Sequence, residues 1–405
     1  MIFINTATNS TGLFKPFFPI TLPYSIGYLM AILLKEGVDF AYIDQQVEKN
    51  VFKKIEENTI KLHKPYIFCI STLTESYGNA KLISKYLKEK FSDCVILVGG
   101  LHPSSMPEET LSHPYFDYVF VGEGEKEILN IYNKIKNRIS LSECRGIIYR
   151  SNNNIIYNPE AELVTDLNSL PRFPYHLFRH EKKYNFGHMI SSRGCPYNCT
   201  FCCLKNVGKR RYRYKDAENT VAELELLVSE YKQKEIAFFD DNFLANKDRI
   251  YNLCEAIRHS DKLKKCTYSF QARTRDMDKE LLQEMYASGF KAVFFGVETV
   301  SDSILKEIGK DESHLEIENA IKTSQSIGLK VMTNFLFCLP NETKQVRKEC
   351  VDFAIRNKVD LAKFNNVVPY PGTVLHDQVK ANNKLIVKTD YSNFNSQLVL
   401  IKAFW

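Results

Sequence analysis

The strongest constraint on the fold is a regular alternation of short apolar runs with longer amphipathic runs along the first third of the chain. Continuous apolar runs are typical of parallel strands that are buried on both faces. Right-handed crossover helices wind such strands into a doubly wound α/β sheet. The candidate strands are Ile2–Asn5, Phe40–Ile43, Tyr66–Ser71, Val95–Val98 and Tyr118–Val121, and the candidate helices are Tyr24–Glu36, Tyr77–Lys90 and Glu125–Ile135.

Glycine and small polar residues follow three of these predicted strands, at Ser71-Thr72, Gly99-Gly100 and the run 122–125. Ligands of doubly wound sheets bind beyond the carboxyl ends of the strands, and glycine lets the backbone approach a ligand closely. We therefore predict a binding crevice at these strand ends. A hairpin at 146–157, turning through 151–154, completes a first domain over residues 1–160, and the proline-containing segment 161–183 is predicted to be a linker.

The second half of the chain carries six more apolar runs, separated by amphipathic helices. The strands are Met189–Ser191, Ile236–Phe239, Tyr268–Phe270, Val293–Phe295, Val331–Phe337 and Phe364–Val368, and the helices are Asp216–Tyr231, Lys247–His259, Asp278–Ser288, Leu315–Ile327 and Thr343–Asn357. Six repeats are too few to close an eight-stranded barrel. We therefore predict a partial (β/α)6 TIM-type barrel over 184–376, with catalytic groups at its carboxyl strand ends and a short tail at 377–405.

Three cysteines, Cys195, Cys199 and Cys202, stand on one short loop after the first strand of this barrel. Thiolates hold iron–sulfur clusters, which usually take four of them, so three would leave one iron open to bind a small molecule. A structural zinc site is an alternative, although the paired C-x2-C or H-x3-H partner of such sites is missing. Ordinary buried thiols are another. The adjacent Cys203 is interpreted as a packing residue.

The spacing C-x3-C-x2-C, with the aromatic Phe201 before the last cysteine, resembles the signature of the radical S-adenosylmethionine (SAM) enzymes. Five further runs at predicted strand ends are similar to that family in the same order: FFDDNF at 238–243, QAR at 271–273, FGVET at 295–299, LFCLPNET at 336–343 and PYPGT at 369–373. Stretches 21–31, 98–107 and 121–127 look like the Rossmann-like amino-terminal domain of its cobalamin-dependent members. The resemblance implies a [4Fe–4S] cluster on the three cysteines, SAM on the open iron, and cobalamin as a further cofactor.

The resemblance also implies roles for residues at the mouth of the barrel. Asp240 and Asp241 would lie near the methionine amino group of SAM, or they would merely form a helix N-cap turn. The other expected SAM or substrate contacts are Phe201, Gln271, Arg273 and Glu298. For two of these there is a simpler alternative, in which Arg273 pairs with Asp276 and Glu298 caps a helix near Ser301.

Cobalamin would lie between the first domain and the barrel. The expected contacts are Thr72, Gly99, Gly100, Gly122 and Glu123. His102 is a candidate cobalt ligand, and the alternative is a loop histidine that packs before Pro103. Two departures from the family pattern concern the covering of the site. Cys338 and Asn341 stand where the fifth-strand run usually has glycine, and the tail offers only a small substrate lid.

Bulk properties limit the partners. A net charge of +6 over 405 residues does not indicate a nucleic-acid partner, and no apolar run approaches the length of a membrane span. Eleven cysteines, mostly scattered singly, and the lack of a recognisable signal peptide indicate reduced thiols and a cytoplasmic protein. The basic run 209–215 is interpreted as a contact for an anionic substrate or reductant, or as a solvated loop.

The leading hypothesis is a radical SAM methyltransferase that methylates an unactivated carbon, or phosphorus, of a biosynthetic intermediate. A small molecule or a peptide would be its substrate, and flavodoxin or ferredoxin its electron donor. An oxidative cyclase or rearrangement enzyme without methyl transfer is one alternative. A non-catalytic cobalamin or iron–sulfur binding module is another.

Overall fold

The computed structural model describes residues 1–8, 20–152, 154–179, 184–386 and 391–401. Two parallel sheets carry the fold within these ranges, one from each half of the chain. Three predicted segments fall partly outside the described residues: Asn153 in the hairpin turn, 180–183 in the linker, and 387–390 with 402–405 in the tail.

The amino-terminal half contains eight strands and six helices among its described residues. The strands are β1 (Ile2–Asn5), β2 (Ile20–Thr21), β3 (Ala41–Asp44), β4 (Ile67–Ser71), β5 (Val95–Gly99), β6 (Tyr118–Phe120), β7 (Ile147–Ser151) and β8 (Asn154–Tyr157). The helices are α1 (Tyr24–Lys35), α2 (Val51–Thr59), α3 (Tyr77–Lys90), α4 (Leu101–Ser105), α5 (Pro107–Ser112) and α6 (Ile128–Lys136).

Seven of these strands form one sheet in the order β3-β1-β4-β5-β6-β7-β8. The sheet is parallel from β3 to β6, and the β7–β8 hairpin adds two antiparallel strands at its edge. The chain runs from β1 to β3 on one side and then to β4 on the other, so a topological switch point lies between β1 and β4. Ligand crevices open beyond the carboxyl ends of strands at such a point. The predicted doubly wound fold is confirmed.

Helices α2, α4 and α5 were not predicted. Pro103 and Pro107 stand in the segment that forms α4 and α5, and proline inside a helix removes a backbone hydrogen bond. In the structure Pro107 occupies the first turn of α5, where proline costs no hydrogen bond. Asn50 caps α2 by accepting a hydrogen bond from the Lys53 N–H at 3.0 Å. These corrections leave the sheet order unchanged.

The carboxyl-terminal half contains nine strands and eight helices among its described residues. The strands are β9 (Tyr184–Asn185), β10 (His188–Met189), β11 (Ser192–Arg193), β12 (Arg213–Tyr214), β13 (Glu235–Phe238), β14 (Thr267–Ala272), β15 (Phe290–Glu298), β16 (Lys330–Phe337) and β17 (Leu361–Asn366). The helices are α7 (Lys205–Gly208), α8 (Ala217–Tyr231), α9 (Lys247–His259), α10 (Lys279–Ala287), α11 (Asp302–Glu307), α12 (His314–Ile327), α13 (Lys344–Arg356) and α14 (Val374–Ala381).

Six strands form the second sheet in sequential order, β10-β13-β14-β15-β16-β17, and all neighbours are parallel. The order ends at β10 and at β17, as expected for an open barrel. Alternate residues of β15 show how it is filled. Val293, Phe295 and Val297 are completely buried beneath the helices, whereas Phe294 and Gly296 face the lumen and are only half-buried. The predicted partial barrel is confirmed.

The two halves pack together through the segment predicted as a linker. The Phe173 ring lies 4.6 Å from the Tyr24 ring of α1, and the Tyr175 hydroxyl donates to Glu223 of α8 at 2.6 Å. At the other end of the chain, Leu385 pairs with Ile401, and Tyr391 is buried against the amino-terminal half. The described part of the tail is therefore docked, and the exact domain boundaries stay a prediction.

Candidate active site

The cysteine loop lies at the carboxyl end of the barrel, between β11 and α7, and all three of its predicted ligands are half-buried. Backbone hydrogen bonds fix it from several directions. The Gly194 N–H donates to Asp241 at 2.8 Å, the Thr200 N–H donates to the Ile308 carbonyl at 2.9 Å, and the Leu375 N–H donates to the Thr200 carbonyl at 3.0 Å. Gly194 has φ +82°, and a Cβ there would lie 2.3 Å from the Arg211 carbonyl oxygen, so only glycine fits. The loop is rigidly held.

The electrostatics at the loop suit bound thiolates. Burial raises the pKa of all three thiols, to about 12 for Cys202, so an isolated thiolate would be costly. At Cys199 the positive charges of Arg273 and Lys310 oppose this effect, and Arg273 Nη1 lies 3.8 Å from the Cys199 sulfur. The Nη2 atom of Arg273 is buried and has no hydrogen-bond partner among the described residues. A cation beside a thiolate, with one donor still free, fits a loop that binds an iron–sulfur cluster and an anionic ligand.

The two neighbouring aspartates have different environments. Asp240 is completely buried and accepts hydrogen bonds from the Ser191 N–H at 2.7 Å and from the Ser191 and Ser192 hydroxyls at 2.8 and 2.6 Å. Its carboxylate is therefore occupied in holding the strand end before the cysteine loop. Asp241 lines a cavity beside the loop, and burial raises its pKa while the Gly194 N–H opposes the shift. Only Asp241 remains placed for a ligand, and neither residue caps a helix, since Asn246 caps α9.

The other predicted residues of the barrel lie on its inner face or its rim. Gln271 is half-buried on the same face of the sheet as Phe294, its register partner. Glu298 is buried, lies at a bulge with φ +68°, and accepts a hydrogen bond from Asn334 at 3.1 Å. Burial raises the pKa of Glu298, whereas Lys310 and Asn334 oppose the shift. Phe201 is half-buried and packs against an apolar cluster that both halves of the chain supply.

Two alternatives from the sequence are wrong in detail. Arg273 pairs with Glu312, at 2.7 Å, and Asp276 instead accepts a hydrogen bond from Asn242 at 2.6 Å. The helix that follows Glu298 begins after Ser301, and Glu298 bonds to Asn334. Arg273 and Glu298 thus face the barrel mouth.

The departures from glycine in the fifth-strand run have a visible conformational cost. Cys338 has φ +64° and Asn341 has φ +56°, and both values lie in the left-handed region that glycine occupies without strain. The Cys338 N–H donates to Glu342 at 2.7 Å, which holds this turn. The chain therefore keeps a glycine-type backbone with larger side chains at this side of the site.

A cavity of about 530 Å³ lies between the switch point of the first sheet and the cysteine loop. Its amino-terminal wall includes Gly99, Gly100, Gly122 and Glu123. Its barrel wall includes Arg193, Gly194, Phe239 and Asp241. The cavity has a largely apolar lining with polar groups at a few points, as is usual for cofactor sites. Its glycines and its position fit a large ligand held between the two domains.

Two predicted cobalamin residues lie away from this cavity. Thr72 is buried, and its hydroxyl bonds to Ser76 at 3.0 Å. His102 is completely buried, with its ring 4.2 Å from Tyr77 and 4.9 Å from Tyr391. Burial lowers the pKa of His102 to about 3, which keeps the imidazole neutral. The ring contacts favour the packing interpretation of His102, and its role as a cobalt ligand stays a prediction.

Glu123 does more than line the cavity. It accepts two hydrogen bonds from Arg213, at 2.7 and 2.8 Å, and lies 3.5 Å from Arg193, which also pairs with Glu125 at 2.7 Å. Burial raises the pKa of Glu123, but the two arginines more than offset this, so the pKa lies below its ordinary value. This buried ion-pair network joins the two domains beside the cavity.

Sequence reasoning missed the partners in this network. Within the basic run, Arg213 and Lys215 are buried in ion pairs, with Glu123 and with Glu223. Only Arg210 and Arg211 of the run are exposed without an ion pair among the described residues. The signal was present in the run Arg213-Tyr214-Lys215, because side chains alternate between the two faces of a strand and the two cations are buried while Tyr214 between them is exposed. Lys310 and Glu312, below the cysteine loop, were missed without any such signal.

Comparisons with known proteins agree with this arrangement. The model of the radical SAM superfamily matches residues 189–354, and that of the B12 binding domain matches residues 17–131. An uncharacterized methyltransferase of Pyrococcus horikoshii is 30% identical over 369 residues, which cover 90% of this chain and 80% of that protein. The cytidylyl-2-hydroxyethylphosphonate methyltransferase of Streptomyces wedmorensis is 25% identical, with 90% and 79% covered. The anaerobic magnesium-protoporphyrin IX monomethyl ester cyclase of Cereibacter sphaeroides is 24% identical, with 94% and 63% covered.

Solved structures share the fold. The radical SAM methyltransferase TsrM from Kitasatospora setae, with tryptophan and a SAM analogue bound, superposes with a TM-score of 0.78 at 18% identity, covering 94% of this chain and 76% of that chain. The cobalamin-dependent SAM radical enzyme OxsB with aqua-cobalamin gives a TM-score of 0.82 at 19% identity, covering 99% and 64%. No helix in the described part of this chain has the length and apolar character needed to cross a bilayer.

Proposed function

Because this chain belongs to the radical SAM superfamily and carries a B12 binding domain, we propose that it methylates a carbon, or a phosphorus, of a small molecule. When bound, the [4Fe–4S] cluster supplies the electron that cleaves SAM to a 5′-deoxyadenosyl radical, and cobalamin supplies a carrier for the methyl group. The observation that carries the proposal is the cavity shared by Gly99 and Gly122 of one domain and by Gly194 and Asp241 of the other. One ligand there would touch both the cobalamin side and the cysteine loop.

The chain's own residues would bind and orient the reactants. Cys195, Cys199 and Cys202 would hold the cluster, and the free Nη2 donor of Arg273 is available to a carboxylate beside it. The buried pairs of Glu123 with Arg213 and Arg193 fix one cavity wall against the other. Fixed geometry of this kind lowers a reaction barrier by pre-orienting the partners, and the closed interface excludes water.

The inner face of the barrel indicates the substrate class. It combines the apolar Phe294 and Met332 with the polar Asn334 and Asn365, which bond to each other at 2.6 Å. Lys363 extends its ammonium group to 5.2 Å from the Phe294 ring centre, and it forms no ion pair among the described residues. We propose a substrate with an apolar body and a polar or anionic group.

We further propose that a flavodoxin or ferredoxin in the cytoplasm reduces the cluster. Arg210 and Arg211 are exposed beside the cysteine loop, since the Arg211 carbonyl packs against Gly194. Exposed cations close to a redox centre favour an acidic electron carrier, because complementary charge steers association.

A second candidate function is oxidative cyclisation without methyl transfer. Its support is the similarity to the Cereibacter sphaeroides cyclase over 94% of this chain. The same cavity and cysteine loop serve this reaction, so the products of SAM must decide between the two.

The test is anaerobic reconstitution with iron, sulfide and hydroxocobalamin, followed by reduction with SAM and analysis of its products. Formation of both 5′-deoxyadenosine and S-adenosylhomocysteine supports methyl transfer. Deoxyadenosine alone supports the cyclase, and neither product, with cobalamin bound, supports the binding module. Zinc in place of iron contradicts all three.

Adjacent cysteines provide a matched pair of variants for this test. Cys199→Ala removes a predicted cluster ligand and is expected to abolish deoxyadenosine formation. Cys203→Ala removes the neighbouring thiol and is expected to retain it. Equal loss in both variants would contradict the assigned ligand set.

A further inference from the structure

A turn that the sequence presents as an ordinary polar loop supports the cysteine loop directly. It comprises residues 308–312 and is called here the supporting turn. The Ile308 carbonyl accepts the hydrogen bond from Thr200, and Gly309, with φ +67°, lies so close that a Cβ would approach the Asn198 carbonyl oxygen to 2.7 Å. The backbone of the supporting turn therefore lies directly against residues 198–200, which include the second cysteine.

The supporting turn also carries two buried charges. Lys310 is 2% exposed and Glu312 is 7% exposed, whereas Asp311 between them is solvent-exposed and pairs with Arg275. The Lys310 ammonium donates to the Gly296 carbonyl and lies 3.5 Å from the Glu312 carboxylate. A buried charge is costly unless it is paired and hydrogen-bonded, so both side chains have fixed positions.

Glu312 connects the supporting turn to Arg273, the cation that lies beside the Cys199 thiol. Its two carboxylate oxygens accept hydrogen bonds from Arg273 Nε, at 2.7 Å, and from the Thr274 hydroxyl. With Nε held in this way, the planar guanidinium lies over the Tyr197 ring, 3.8 Å from its centre, and Nη1 reaches the Cys199 sulfur at 3.8 Å. The position of the guanidinium next to Cys199 is thus set from two sides, by Glu312 and by Tyr197.

We propose that Glu312 is a positioning residue that holds the Arg273 guanidinium against Cys199 and thereby raises the reduction potential of the bound cluster. Reduction adds negative charge to a cluster, and a donor or cation at a ligand sulfur stabilises that charge. The inference rests on the cluster of the proposed function. It does not depend on methyl transfer, cobalamin or the identity of the substrate.

Two substitutions separate the position of Glu312 from its charge. Glu312→Asp keeps the charge but shortens the side chain by one methylene, so the bond to Arg273 Nε is lost. Glu312→Gln keeps the length and an acceptor oxygen but removes the charge that neutralises the guanidinium. Arg273→Met removes the donor itself. Glu223→Asp and Glu223→Gln are the matched controls, because Glu223 is an equally buried carboxylate that pairs with Lys215 instead.

The readout is the midpoint potential of the reconstituted cluster, from a redox titration followed by electron paramagnetic resonance, without SAM, cobalamin or substrate. Glu312→Asp and Arg273→Met are expected to lower the potential, and the double variant should equal Arg273→Met alone. Glu312→Gln is expected to raise it, and both Glu223 controls should match the wild type.

The inference is overturned if Glu312→Asp keeps the wild-type potential, or if Arg273→Met does. Should Glu312→Asp fail to assemble a cluster, Arg273→Met decides alone, and an unchanged potential there overturns the inference. If the wild-type protein holds a cluster with a measurable midpoint potential but forms neither 5′-deoxyadenosine nor S-adenosylhomocysteine, the proposed function is contradicted and this inference still stands.

Discussion

Gly99 and Gly100 are adjacent at the end of β5, yet the structure predicts opposite consequences for replacing each with alanine. Gly100 has φ +109° and ψ −169°, a region that is essentially restricted to glycine. A Cβ there would lie 2.5 Å from the Thr72 carbonyl oxygen, which is backbone and cannot rotate away. Gly99 has no such restriction, and its Cβ would meet Phe120 Cβ at an ordinary 3.7 Å.

The expected free energies follow from these contacts. In Gly100→Ala the backbone strain costs about 2 kcal/mol. The displaced Thr72 would also weaken the hydrogen bond from its N–H to the Gly99 carbonyl, 3.0 Å long, which costs about 1–2 kcal/mol more. Gly99→Ala leaves the fold unstrained, and the reduced freedom of the unfolded chain stabilises it by about 0.5 kcal/mol. The two variants should therefore differ by about 4 kcal/mol in the free energy of unfolding.

An effect on cobalamin binding is expected at Gly99. Gly99 and Leu97 share one face of β5, and both line the cavity, so the methyl group of Gly99→Ala would project into the cavity. Overpacking of about 1.5 kcal/mol would weaken cobalamin binding roughly 10-fold. Urea denaturation followed by circular dichroism measures the first effect, and absorbance titration with hydroxocobalamin measures the second. A Gly100→Ala variant as stable as the wild type, or an unchanged affinity in Gly99→Ala, would refute this reasoning.

Three more perturbations have expected outcomes. Glu123→Gln, which leaves Arg213 buried without its counter-charge, should destabilise the chain by about 3 kcal/mol in urea denaturation, whereas Glu162→Gln at an exposed pair should leave the stability nearly unchanged. Because folding lowers the pKa of Glu123, its carboxylate contributes to the free energy of unfolding above pH 4.5, and this contribution is lost as the pH falls through the pKa of the folded state. Glu123→Gln should therefore make the free energy of unfolding less dependent on pH in the acid range. Cys338→Gly should raise the free energy of unfolding by about 1 kcal/mol, because it relieves a left-handed φ of +64°. An unchanged free energy of unfolding would show that the backbone at this position is not strained. His102→Phe should leave the affinity for cobalamin unchanged, and a lost or altered cobalamin spectrum would restore the ligand interpretation. The same variant should abolish the loss of folding stability between pH 6.5 and pH 3, because that loss comes from a histidine that folding holds neutral.

Much of the architecture was predictable because it depends on local pattern. Continuous apolar runs identified the strands of both sheets to within a few residues, since a strand buried on both faces tolerates few polar residues. The doubly wound topology was expected from the right-handed crossover rule, and the cysteine loop was recognised from its spacing, whereas the strand order that creates the switch point was not predicted. Helices α4 and α5 were not predicted, because five and six residues are too few to show a helical periodicity.

The candidate site was predictable only in part, because spacing places a side chain at a strand end but does not name its partner. Glu123 was expected to contact cobalamin through a Gly-Glu-Gly-Glu run, yet its carboxylate is engaged by Arg213, 90 residues away along the chain. Lys310 and Glu312 stand in a polar segment without apolar periodicity, which usually indicates an exposed loop. Their burial depends on Arg273, which only the folded chain brings beside them.

Asp240 and Asp241 show that the sequence does not reveal the partners of a side chain even for two identical adjacent residues. Successive side chains at a strand end point to opposite faces, so two identical residues enter different environments. Asp240 turns into the protein, where the Ser191 and Ser192 hydroxyls and Arg249 at 3.4 Å satisfy its charge. Asp241 turns toward the cavity, where burial raises its pKa and the Gly194 N–H donates to it at 2.8 Å. Asp240 holds the strand end that positions the cysteine loop, so a substitution there should disturb cluster assembly. Asp241 is left for a ligand, so a substitution there should weaken ligand binding and leave the cluster intact.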